Sequence, residues 1–143
     1  MKVHCLTISE PWASLIASGN KTTENRCWKT NYRGPLAIHA GSGTQYLTKK
    51  QLADYPTGHV IAVANLVACH DIYTIRHRAE SAWLSGWKPD GCKSTWAEIA
   101  AHEFTEGPWC WILEDVRKLK TPKPIAGKQG IWTFFDREWD SRF

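Results

Sequence analysis

Lys21, Glu24 and Arg26 stand together in the run Gly19-Asn20-Lys21-Thr22-Thr23-Glu24-Asn25-Arg26. A lysine amine drawn out of water acts as a base or nucleophile near neutral pH, and a neighbouring carboxylate relays protons. A guanidinium grips phosphate or carboxylate through parallel hydrogen bonds. Strand alternation from Thr22 puts Thr22, Glu24 and Arg26 on one face, and Thr23, Asn25 and Cys27 on the other. Such a cluster suits a polar ligand with donor and acceptor edges. The same residues support a plainer reading, in which Glu24 pairs with Arg26 or Lys21 and closes a sheet. Lys21, Glu24 and His39 are the candidate catalytic groups. Trp12, Thr22, Arg26, Trp28, Tyr32, Arg33 and Asn65 are the candidate ligand contacts.

Each of the others has two readings. Trp12 packs a helix or stacks on a base, and Trp28 and Tyr32 form a stacking wall or pack the strand they flank. Arg26 and Arg33 bind an anion or pair internally. His39 ends an apolar strand, either as a buried hydrogen-bonded imidazole or as a titrating member of the site. Asn65 lies inside the apolar run HVIAVANLVAC, as a satisfied amide or as a reader of a base edge. Ser42-Gly43-Thr44 is a turn or a phosphate cradle.

The elements that must hold these groups are short. Lys2–Ser9 alternates as a strand. Ser9 reads as the N-cap of a brief helix with Glu10 and Pro11 in its first turn, and Gly19 is its left-handed stop. Residues 22–28 form a polar strand and 36–39 an apolar one. Thr48–Tyr55 reads as a helix, and 59–72 as a long β-branched strand. Residues 73–107 carry helical signals broken by Gly86, Pro89 and Gly91, and read as an insertion packed on one side. Residues 109–118 and 130–135 are closing strands joined by a Pro-rich turn over 121–127. Short strands without regularly alternating helices predict an α+β fold: one domain, 1–143, a small mixed or antiparallel β-barrel with a short N-terminal helix and a helical insertion at about 73–107.

Composition sets the outer bounds. A hydrophobic fraction of 43% and a charged fraction of 22% describe a packed domain rather than a disordered chain. Nine tryptophans exceed what so small a core needs, which leaves planar faces for planar ligands. The net charge of +4 permits nucleic-acid contact without establishing it. It gathers in residues 1–50 and in a second run, Arg117-Lys118-Leu119-Lys120-Thr121-Pro122-Lys123, with Lys128 beyond. Five cysteines without paired spacing, no leader and no membrane-length apolar run point to a reduced, cytoplasmic chain with no membrane contact. Cys69, His70, Cys92 and His102 are potential zinc ligands, but their spacing matches no common site, so no metal or cofactor is expected.

The motifs taken together resemble a known family. Cys5 to Ala13, then Gly-x-Lys-Thr-x-Glu-x-Arg at 19–26, Trp28, Tyr32-Arg33-Gly34, Ile38-His39-Ala40 and the closing Pro124-Ile125 with 127–132 are similar to an ASCH domain, the activating-signal-cointegrator homology fold related to PUA domains. The resemblance implies a PUA-like barrel with a cleft between the first helix and the strands, binding RNA or a nucleoside or nucleotide. It also implies, for some relatives, metal-independent hydrolysis of N4-acetylcytidine by a Lys, a hydroxyl three residues later and a central-strand Glu, and for others ribonuclease activity. Here the Lys falls on Lys21, the hydroxyl position on Glu24, and the Glu near Asn65. Asn65 polarises but does not exchange protons. Binding and catalysis therefore stand as alternatives, with a protein partner on residues 73–107 as a third.

Overall fold

The computed structural model describes all 143 residues. In chain order they form β1 (Lys2–Ile8), α1 (Trp12–Ala17), β2 (Thr23–Arg26), β3 (Gly34–Ala40), β4 (His59–Asp71), α2 (Ile72–Glu80), α3 (Trp96–Ala101), β5 (Trp109–Pro124) and β6 (Ile131–Phe135), followed by a 3-10 turn over Trp139–Arg142. One six-stranded sheet runs in the order β2-β5-β4-β3-β1-β6. It is mixed: β1 lies parallel to β3 and antiparallel to β6, and β2 is antiparallel to β5. The expected α+β class with a PUA-like mixed sheet is what the chain adopts.

The chain divides into two compact units, and β4 and β5 each supply residues to both. The first comprises residues 1–21, 35–64 and 115–143. Its core joins Val3 and Cys5 of β1, Ala37, Val60, Leu119, and the aromatics Trp132, Phe134 and Trp139. The β1 register sets Val3 opposite Phe134 and Cys5 opposite Trp132, so alternate residues of β1 and β6 enter one core. Leu6 and Ile8, on the opposite face of β1, are also buried, so both faces of this strand are covered.

The second unit comprises residues 22–34 and 65–114. Its core is built by Ala68 of β4, Ile72 and Ile75 of α2, Cys92, Trp96 and Ile99 around α3, and Cys110 and Ile112 of β5. The segment read as an insertion is thus the larger part of this core. Both helices start on side-chain caps. Asp71 accepts from the Thr74 N–H at 2.9 Å and the Thr74 hydroxyl at 2.7 Å, and Thr95 and Glu98 form a reciprocal capping box.

Three local expectations are corrected. Residues 48–55 form turns rather than a helix: Leu52 is 46% exposed, so the stretch lacks a buried face to hold one. Ser9 is not the cap of α1. Pro11 occupies that position without a side-chain bond, and the Glu10 carboxylate takes the Ser14 N–H and hydroxyl instead. β5 runs through Pro122 to Pro124 where a turn is predicted. β2 pairs with Trp109–Ile112, so Pro122 and Pro124 lie beyond the stretch of β5 that must donate to β2. In the second unit Gly107 (φ +84°) turns against α2, where an added Cβ would lie 2.6 Å from Ile72 Cβ.

Candidate functional site

Lys21 follows the end of α1 directly. Gly19 takes φ +85°, and the Lys21 N–H donates to the Leu15 carbonyl at 3.0 Å. The left-handed glycine folds the chain back onto the helix end, as its position predicts. Lys21 is 3% exposed. Upstream in the same unit, Glu10 is wholly buried, its two oxygens taken by Ser14. His39 is 1% exposed, and its Nε2 lies 2.7 Å from the Ile125 carbonyl. A carbonyl only accepts, so Nε2 carries the proton and Nδ1 keeps a buried lone pair without a hydrogen-bond partner. Burial holds the His39 pKa below its ordinary value, outweighing the carbonyl contact that raises it; nearby His59 lowers it further. Trp132 meets the ring edge-on at 5.6 Å. An added Cβ on Gly127 would lie 2.9 Å from Nδ1 and 2.6 Å from Thr7 Oγ1, which explains why a glycine opens the Gly127-Lys128-Gln129-Gly130 turn.

In the second unit, Glu24 is 7% exposed and its Oε2 accepts from Arg26 Nε at 3.0 Å and Nη2 at 2.9 Å. The ion pair left open by the sequence is therefore formed, on the face that strand alternation assigned to both residues. Thr22 contributes its backbone: its N–H donates to His102 Nε2 at 3.1 Å and its carbonyl accepts from Leu113 N–H at 2.9 Å. Trp28 packs at right angles on Trp111, ring centroids 4.7 Å apart, and its carbonyl accepts the Trp111 indole N–H. Arg33 curls onto its own loop, donating to the Thr30 and Tyr32 carbonyls. Burial raises the Tyr32 pKa, so the phenol stays neutral. Asn65 is half-buried on β4. Trp12, in the first unit, is half-buried and meets Tyr46 edge-on at 4.6 Å.

Two residues escaped sequence reasoning. Asn25 holds the loop before β5: its Nδ2 donates to the Phe104 carbonyl at 2.8 Å, and its Oδ1 accepts the N–H groups of Glu106 and Gly107 at 3.0 and 2.8 Å. Nothing in the sequence pairs positions some eighty residues apart. Glu10 was read as a helix-dipole carboxylate, and the serine four residues on was the available signal. No group of three or more His, Cys, Asp or Glu residues is placed to hold a metal ion. His102 serves the Thr22 N–H, and His70 packs edge-on to Trp96 at 4.8 Å. Burial pushes the Cys92 and Cys110 thiols up to about 11, so both behave as small apolar side chains.

A family profile described as the ASCH domain matches residues 6–123. The chain belongs to the ASCH domain family. The human protein Activating signal cointegrator 1 is 26% identical over 144 aligned positions, covering 90% of this chain and 22% of that protein. The mouse protein of the same name is 32% identical over 81 positions, covering 46% of this chain and 14% of its own length. The chain thus spans about a fifth or less of the length of these relatives. The crystal structure of ASCH from Zymomonas mobilis shares the fold: TM-score 0.51, 19% identity, 96% of this chain and 90% of that one. The ASCH match runs from Leu6 through Lys21, Glu24 and His39 to Lys123 of β5, so it contains nearly all of the motifs quoted for the resemblance up to Ala40, while the closing motif from Pro124 lies beyond it. No helix of this ASCH domain is long and apolar enough to cross a membrane.

Proposed function

We propose that this ASCH domain binds a nucleotide, free or within RNA, through the segment from Glu10 to Gly41. The observation that carries the reading is buried charge: Glu10, Lys21 and Glu24 are 0%, 3% and 7% exposed within fifteen consecutive residues. Ionised groups lose several kcal/mol each on leaving water, and segments that tolerate this cost are over-represented at binding sites. Arg33 supplies an exposed guanidinium for phosphate, and Tyr32 beside it supplies partly exposed aromatic surface for a base. Five unpaired cysteines fit a reducing, cytoplasmic compartment. Equilibrium binding of short single-stranded RNAs and nucleosides, with Lys21→Ala alongside, tests the reading. An affinity that falls at least about tenfold in a folded variant, and weakens steeply with salt, supports it. Unchanged affinity in Lys21→Ala refutes it.

Burial of Lys21 favours a second reading, a metal-independent hydrolase acting on an acylated cytidine or on RNA. A desolvated amine is the group that such chemistry needs, and Glu24 is the nearest acidic residue along the chain. Turnover that collapses in both Lys21→Ala and Glu24→Gln, with folding retained, supports it. Docking of a protein partner on residues 73–107 is favoured by Trp83 and Trp87, which are 86% and 69% exposed. Because that segment holds the second core, the test is Trp83→Ala with Trp87→Ala rather than its deletion.

A further inference from the structure

Of the nine tryptophans only Trp83 and Trp87 are exposed, at 86% and 69%. They project from the turn between α2 and α3, and that turn is fixed. The Ser81 hydroxyl accepts the Trp83 and Leu84 N–H groups, both at 3.2 Å, and the Trp87 N–H donates to the Leu84 carbonyl at 2.9 Å. The first two N–H groups of α3 close it from the other side: Trp96 donates to the Trp87 carbonyl at 2.9 Å and Ala97 to the Ser85 carbonyl at 3.0 Å. Such donors have no partner inside their own helix, so the turn caps α3 while α3 holds the turn. Trp96 and Ile99 anchor α3 in the core of the second unit. Aromatic rings carried on a fixed backbone have little freedom left to lose on binding.

What the two rings offer selects the partner. Neither makes a ring contact within the chain, and neither indole N–H has a partner there. Each therefore presents a flat apolar face and one donor that never accepts. An added Cβ on Gly86, between them in sequence, would meet nothing within 4 Å, so the approach is open. A polyanion does not fit. Residues 73–107 carry four Lys and Arg against five Asp and Glu, a net −1 in a chain of +4, and Arg78 is held over the Trp96 ring at 4.7 Å, whereas nucleic acid needs a basic surface. An added β-strand does not fit either, because the N–H groups of Trp83, Leu84, Ser85 and Trp87 are already spent. An amphipathic helix consumes its own carbonyls and would leave both indole donors unmatched. A polyproline II segment meets each requirement: it is apolar, its carbonyls are free of internal hydrogen bonds, and its prolines have no N–H to compete.

Resting on the reading that residues 73–107 dock a protein, we infer that the turn carrying Trp83 and Trp87 docks a proline-rich segment of that partner in the polyproline II conformation. Its proline rings lie against the two indole faces, and the indole N–H groups donate to its carbonyls.

The test is an NMR titration of the isotope-labelled full chain, followed at the tryptophan indole N–H signals. The probes are decaproline, an alternating Gly-Ser decapeptide, a neutral amphipathic helical peptide and oligouridylate. Decaproline is expected to shift the two signals that vanish in Trp83→Ala and Trp87→Ala, and the Gly-Ser peptide to shift neither. Each alanine variant should weaken decaproline binding at least about fivefold, and both positions are exposed, so folding is not at risk. Trp83→Phe with Trp87→Phe keeps apolar rings and removes the donors, and should weaken binding about threefold or more. No shift from decaproline, equal shifts from the Gly-Ser peptide, or affinity unchanged in the alanine or the phenylalanine variants overturns the inference. Shifts from the helical peptide without any from decaproline overturn it while sparing the docking reading. Tighter binding of oligouridylate than of decaproline at these signals overturns both.

Discussion

Acidification should destabilise this protein through His39. The imidazole donates Nε2–H to the Ile125 carbonyl, and Nδ1 is buried with no partner. A second proton on Nδ1 would create a charge with no acceptor, packed against Trp132 and close to Gly127. The folded pKa therefore lies below the unfolded value near 6.5. The sign follows: the unfolded chain takes up a proton that the folded chain refuses, so the contribution is fully present above pH ~6.5 and is lost as pH falls toward the folded pKa. One such group gives a slope of at most about 1.4 kcal/mol per pH unit, hence up to about 2 kcal/mol between pH 6.5 and 5. His70, whose pKa burial also lowers, acts in the same direction. Urea unfolding from pH 7.5 to 5, in the wild type and in His39→Gln, isolates the term. Glutamine keeps an amide donor for Ile125 and does not titrate, so the variant's stability should depend less steeply on pH. A variant as steep as the wild type would refute the reasoning.

Three further outcomes follow from individual contacts. Asn25→Ala removes one donor and leaves two loop N–H groups to water or nothing; a loss of about 2–4 kcal/mol is expected in urea unfolding, and a loss below ~1 would show the loop holds itself. Gly107→Ala sets a methyl 2.6 Å from Ile72 Cβ at φ +84° and should cost about 2–4 kcal/mol, read as a lower Tm; an unchanged Tm counts against the packing described. Trp83→Ala with Trp87→Ala should change stability by no more than ~0.5 kcal/mol per site, because both rings face water; a larger loss would mean that they pack.

The sequence made the first unit more legible than the second. β1 announces itself by alternation, β3 and most of β4 by apolar and β-branched runs, and the end of α1 by a glycine that only one backbone region suits. The second unit resists because its contacts are distant along the chain: Asn25 meets residues 104–107, and Thr23 meets Thr105. No local period encodes such pairs. The stretch 48–55 misleads for the opposite reason. It has residues that suit a helix but no surface for one to bury, and for so short a segment tertiary contact decides. At the candidate site, alternation placed Glu24 and Arg26 on one face correctly. It could not say that Trp28 would be committed to Trp111, or that Thr22 would act through its backbone.

Lys21 remains the residue on which the two functional readings diverge, and one substitution separates them. A binding site needs the positive charge; a hydrolase needs an amine able to give up its proton or attack. Arginine retains charge but stays protonated at any working pH. Under the binding reading, Lys21→Arg therefore keeps RNA affinity within a few-fold while Lys21→Met loses about tenfold or more. Under the hydrolase reading, both variants lose turnover on an acylated cytidine. Lys21 is 3% exposed, so the larger guanidinium will strain its surroundings, at a typical cost of about 1–3 kcal/mol. Unfolding curves for each variant distinguish that cost from a functional loss. A folded Lys21→Arg protein that still hydrolyses substrate would exclude the amine as the reacting group, and a folded Lys21→Met protein with full RNA affinity would exclude its charge.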